Sequence, residues 1–149
     1  MSIERHESET TAQYLKRLKD MGFLFHGSSN PDIEELEPRA TVDPYIERNT
    51  DTAVFASNNP TWSTIFGVYG GNKGWATDVR GDEVLAKIPA AQKNVVETGS
   101  GMVYVLPKET FKENDDAGQY KSHETVKPIL KVSVTFADYQ EMGGQVQWT

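Results

Sequence analysis

The apolar residues of this chain come in short runs, each closed by turn residues. Phe23-Leu24-Phe25 runs into His26-Gly27-Ser28-Ser29, and Ala53-Val54-Phe55-Ala56 into Ser57-Asn58-Asn59-Pro60. Met102-Val103-Tyr104-Val105-Leu106 ends at Pro107. From Ile129 to Phe136 apolar residues alternate with Lys131, Ser133 and Thr135, the mark of a strand with one wet face. Strand follows strand with only one clear helix, so the regular strand–helix alternation of a doubly wound sheet is absent. The pattern predicts an α+β fold with a mainly antiparallel sheet, short helices and an N-terminal helix.

That helix is expected from Ser8 or Thr10 to about Met21. Tyr14, Leu15, Leu18 and Met21 form its apolar stripe, Lys16, Arg17 and Lys19 suit its C-terminal dipole, and Gly22 stops it. Residues 1–22 thus read as an N-terminal helical segment, 23–140 as the main domain and 141–149 as a C-terminal tail, loosely held from Gly143 unless Trp148 docks. Phe23–Phe25 reads as a strand ending at His26, and Ala53–Ser57 as a second strand. Asn59 caps a helix that starts at Pro60 and carries Trp62, Ser63, Ile65, Phe66 and Tyr69. Residues 75–80 read as a loop or an edge strand, and Val84–Ile88 as a strand or a helical turn. Val95-Val96 are assigned to a strand, Gly99-Ser100-Gly101 to a tight turn, Lys108–Phe111 to one helical turn, and 113–118 to an acidic loop. Residues 39–52 hold few apolar side chains, and so long a structureless connection is often functional.

The length, 149 residues, suits one domain with one core. Fifteen Lys+Arg stand against 22 Asp+Glu, for a net charge of -7, which argues against general nucleic-acid binding. With no cysteine, disulfides, thiolate metal sites and cysteine nucleophiles are excluded. The spacing of His6, His26 and His123 supports no metal motif. No apolar run is long enough to span a bilayer, and residues 1–22 lack a signal-peptide core. A cytoplasmic location is the expectation.

His26, Ser63, Phe66 and Glu124 are the residues singled out for chemistry. His26 and Glu124 fall at or near strand ends; Ser63 and Phe66 share one helix face. Together they would hold a planar heterocycle against an aromatic face, with a carboxylate to stabilise a sugar cation. Each also has an ordinary structural reading: His26 satisfying backbone groups, Phe66 in the core, and Glu124 paired in solvent with Lys121 or Lys127.

The ordered segments FLFHGSSNPDIEELEPR, AVFASNNPTWSTIF, GMVYVL and YKSHETVKPILKV resemble the ADP-ribosyltransferase superfamily. More narrowly they resemble its His–aromatic–Glu branch, which includes the poly(ADP-ribose) polymerases. The resemblance spans roughly residues 23–136 and implies a split, mainly antiparallel sheet with NAD held in a cleft between two small sheets. It implies that His26 bonds the ribose on the nicotinamide side and that the Gly27 backbone holds the carboxamide. Ser63 would touch that carboxamide, Phe66 would stack on the ring and Tyr69 would wall the pocket. Arg39 or Arg48 would approach the phosphates, and Glu124 would be the catalytic carboxylate. Ser122 would fall where some branches choose the acceptor. The implied reaction is NAD-dependent ADP-ribosyl transfer, or NAD glycohydrolysis, with release of nicotinamide. The acceptor it implies would be a protein or a small molecule. Val54 departs from the pattern, standing where the triad's aromatic residue is expected. It supports the alternative: an inactive nucleotide- or protein-binding module on the same fold.

Overall fold

The computed structural model describes residues 3–40, 52–114 and 118–149. The first helix, α1 (Thr11–Asp20), starts at the Thr10 cap; a capping box links Thr10 and Gln13, and Gly22 follows the helix at φ 94°. Strand β1 (Leu24–Ser28) leads to the two-residue β2 (Arg39–Ala40), then to β3 (Thr52–Ser57) and helix α2 (Pro60–Tyr69). Strands β4 (Ala76–Arg80) and β5 (Glu83–Ile88) precede the short helix α3 (Lys93–Glu97). Strands β6 (Ser100–Leu106), β7 (Lys112–Glu113), β8 (Gln119–Ser122) and β9 (Leu130–Thr135) follow, then α4 (Phe136–Glu141) and β10 (Gln145–Trp148).

Two sheets result. The larger has the order β7-β8-β3-β1-β6-β9, with β2 beside β3, and every pairing in it is antiparallel. The smaller has the order β10-β5-β4, with β10 parallel to β5. The fold is therefore α+β and mainly antiparallel, with short helices and a helix at the N-terminus. Alternation along the strands divides the core. Phe25, Val103 and Val105 meet Tyr14, Leu15 and Leu18 of α1 on one face of the large sheet. Leu24, Val54, Tyr104 and Leu106 pack on the other. A third cluster joins α2 to the small sheet through Ile65, Tyr69, Ala86, Ile88 and Tyr139. No helix among the described residues is long and apolar enough to cross a membrane.

Several boundaries differ from expectation. Strand β1 does not end at His26 but runs on through Gly27 to Ser28, because β6 pairs with it from Leu24↔Leu106 to Ser28↔Met102. Val95-Val96 lie in α3, not in a strand; burial of Val96 in the third cluster overrides the β-branched preference. Ser100 and Gly101 belong to β6. The tail is not loose: residues 145–148 pair with residues 85–88, and the Tyr139 hydroxyl donates to the Gln145 carbonyl at 2.7 Å. Helix α1 is likewise no separate segment, since it forms part of the core. Of the long connection, Arg39 and Thr52 are described within β2 and β3. Arg48 lies outside the described residues, as do residues 115–117 of the acidic loop.

Candidate functional site

The ladder between β1 and β3 contains a single pair, Phe25↔Ser57. Beyond it the two strands part, and a cavity of about 690 Å³ opens between them, within the size range of small-ligand sites. Its walls come from β1, β3, α2, the segment 30–39 and Gln119 of β8. No residue of the small sheet lines it, so the cleft lies inside the large sheet and not between the two sheets.

His26 stands where the strands separate. Its Nδ1 lies 2.8 Å from the Phe55 carbonyl oxygen. A carbonyl can only accept, so Nδ1 carries the proton and, in the neutral ring, Nε2 is an acceptor. Burial pushes the imidazole below its ordinary pKa; the Phe55 carbonyl opposes that shift and the charge of Arg39 adds to it. His26 lines the cavity as a neutral base able to accept a hydrogen bond, such as that of a sugar hydroxyl.

Helix α2 brings the next groups. Asn59 caps it, accepting from the Thr61 and Trp62 amides at 3.0 and 3.3 Å. It sits unusually close to the sheet: a Cβ on Gly27 would lie 1.9 Å from the Ser63 carbonyl oxygen and 2.6 Å from the Gly67 nitrogen. Gly27 is thus required by helix–strand contact, and the space its missing side chain leaves is filled by α2. Ser63 is buried and donates to the Phe25 carbonyl at 3.1 Å. Toward a ligand, its hydroxyl oxygen therefore acts as an acceptor.

One turn further along α2, Phe66 is 39% exposed, unusual for so large an apolar side chain. Trp62 and Trp75 flank it at centroid distances of 6.3 and 5.0 Å, and the Trp62 ring is held by a 3.0 Å bond to Thr77. Phe66 and Trp62 both line the cavity, giving it an aromatic wall.

The structure thus brings His26, Gly27, Ser63, Phe66 and Arg39 to one cavity and leaves Tyr69, Ser122 and Glu124 out of its lining. Tyr69 is 2% exposed, packed in the third core cluster against Trp75. Glu124 is exposed in the turn after β8, where its amide donates to Ser122 Oγ at 3.2 Å. Ser122, 1% exposed, meets Thr110 at 2.8 Å and organises that turn. Val54 is buried in the second cluster and also borders the cavity, together with Leu36 and Ala56 of that cluster.

The β8 side chain in the cavity is Gln119, which the sequence did not single out. It follows Gly118, whose φ of 83° and contact with Asn58 turn the chain back beside the start of α2. Carboxylates in the lining come instead from Asp32, Glu34, Glu35 and Glu37, against the one guanidinium, that of Arg39, among the described lining residues. Such a rim suits a cationic ring better than a polyphosphate. Comparison with protein-family models, curated proteins and solved structures finds no match.

Proposed function

We propose that the protein binds NAD in this cleft, nicotinamide end inward, and acts as an ADP-ribosyltransferase. One observation carries the reading: a neutral histidine acceptor, a serine hydroxyl and an exposed phenylalanine converge in one cavity, and these are the residues the family resemblance assigns to the nicotinamide side. The acidic rim favours the cationic nicotinamide ring, and Arg39, also in the lining, would approach the phosphates. In the reaction the bond from ribose to nicotinamide breaks and nicotinamide leaves as a neutral molecule with the electron pair. A protein group, a small molecule or water then attacks the sugar cation and loses a proton. His26 orients the ribose, and Phe66 and Ser63 hold the ring. A cytoplasmic location, where NAD is at hand, belongs to the same reading.

A second reading is favoured by a specific observation. Glu124, the expected catalytic carboxylate, does not line the cavity, and the β8 side chain that does is a neutral amide. That arrangement suits a nucleotide-binding module without turnover. The test is incubation with millimolar NAD, following bound NAD and free nicotinamide together, for the wild type and Glu124→Gln. Nicotinamide release lost in Glu124→Gln supports the enzyme with its expected carboxylate. Equal release by both proteins keeps the enzyme and removes Glu124 from its chemistry. Binding without release selects the module, and no binding rejects NAD.

A further inference from the structure

His26, Tyr104 and Lys131 form one row across three strands: His26 pairs with Tyr104 of β6, and Tyr104 with Lys131 of β9. Partners directly opposite share a face of the sheet. The connection from β1 to β2 is held from that row. The Tyr104 hydroxyl donates to the Asn30 carbonyl at 2.5 Å and accepts from the Ile33 amide at 3.0 Å. These two groups are the ends of the turn over Pro31-Asp32, so one phenol clasps both. Lys131 Nζ donates to the Pro31 carbonyl between them. Ser28 Oγ and Asn30 Oδ1 brace the same turn, accepting from the Asn30 and Asp32 amides at 3.1 and 3.0 Å. Asn30, Asp32 and Ile33 line the cleft, whereas Tyr104 does not; its ring is buried in the second core cluster.

Resting on the NAD reading, we propose that Tyr104 is a positioning residue for the ligand: its hydroxyl anchors the turn over Pro31-Asp32 to the core and so keeps it in place as a wall of the cleft. A wall that is in place only part of the time lowers the apparent affinity by that fraction. The coupling is reciprocal, so a ligand resting on the turn also holds it closed against the sheet.

Tyr104→Phe keeps the ring in the core and deletes only the clasp. Tyr139→Phe is the matched control: its hydroxyl also bonds main chain, at Val84 and Gln145, but against the small sheet, which does not line the cleft. NAD binding is measured by calorimetry and amide exchange by NMR, with thermal melting to confirm folding. The expected result is NAD binding weakened about fivefold or more in Tyr104→Phe and unchanged within about twofold in Tyr139→Phe, whatever each loses in Tm. Exchange of the Ile33 amide should quicken in Tyr104→Phe and slow again with saturating NAD. A merely structural hydroxyl would lower Tm without that split in affinity. NAD binding by Tyr104→Phe within about twofold of the wild type, or an equal loss in Tyr139→Phe, overturns the proposal and leaves the NAD reading standing. Should Tyr104→Phe not fold, the wild type decides: Ile33 exchange untouched by saturating NAD overturns the proposal. Failure of the wild type to bind NAD overturns both.

Discussion

Replacing Gly27 by alanine tests how the site is built. The new Cβ would meet the Ser63 carbonyl oxygen at 1.9 Å and the Gly67 nitrogen at 2.6 Å, and both are backbone atoms. No rotamer change can relieve the clash, so β1 or α2 must move by more than 1 Å, judged against an ordinary contact of about 3.5 Å. Movement of α2 is resisted at β6, where a Cβ on Gly101 would likewise lie 1.9 Å from the Gly67 oxygen. Overpacking costs about 1–3 kcal/mol, and a backbone-to-backbone clash belongs at the upper end. Alanine's smaller unfolded-state entropy returns about 0.4–1 kcal/mol, leaving a net loss of roughly 2 kcal/mol. For a chain of this size that lowers Tm by about 4–8 °C. Gly71→Ala is the control, because its Cβ would meet nothing within 4 Å. Melting followed by circular dichroism compares the two, and NAD affinity should fall in Gly27→Ala alone as Trp62, Ser63 and Phe66 shift. Equal melting temperatures for the two variants would refute the close-approach argument.

Phe66→Ala removes an exposed ring from the cavity wall; calorimetry should show NAD binding weakened by roughly 2- to 12-fold, the worth of one stacking contact, with little change in Tm. His26 has a folded pKa below its ordinary value of about 6.5. As pH falls below 6.5 the unfolded chain takes up a proton that the folded one refuses. Stability therefore declines until the lowered folded value is reached; urea unfolding across pH 5–7 should show this slope in the wild type and not in His26→Asn. Glu9 is held down to about 2 by Arg17, through bonds of 2.8 Å, with help from the His6 amide. Its contribution is complete above the ordinary carboxylate range and is lost as pH falls through 2, so Glu9→Gln should flatten the acid limb of the stability curve. Tyr139→Phe removes the donor to the Gln145 and Val84 carbonyls; it should cost roughly 1–2 kcal/mol and speed amide exchange in β10.

Local signals in the sequence located most elements and part of the site. The cap at Thr10, the stop at Gly22 and the Asn59-Pro60 start act within a few residues, and they set α1 and α2 as expected. Alternation set β9, with Val132 and Val134 buried between exposed Lys131 and Ser133. His26 stood out as a basic ring closing an apolar run, and Phe66 as an aromatic ring on the helix face of Ser63, where the family resemblance expects one. Long-range pairing was invisible. Nothing between Gly143 and Thr149 announces that β5 waits for a parallel partner. Tyr69 follows Phe66 at helical spacing, yet its ring packs into the third core cluster, edge-on to Trp75. Gln119 lacked any signal of its own, because its place depends on the turn at Gly118 and the contact with Asn58. Glu124 drew attention through its neighbours in sequence, while only the end of β8 nearest Gly118 reaches the cavity.

The most direct test is a titration of the isotope-labelled protein with NAD, followed by amide chemical shifts. Saturating shifts centred on His26, Gly27, Ser63, Phe66 and Gln119 are the predicted result. Shifts confined to Tyr104, Lys127, Leu130 and Lys131 in the adjoining groove, or no shifts at millimolar NAD, would contradict the assignment of this cleft.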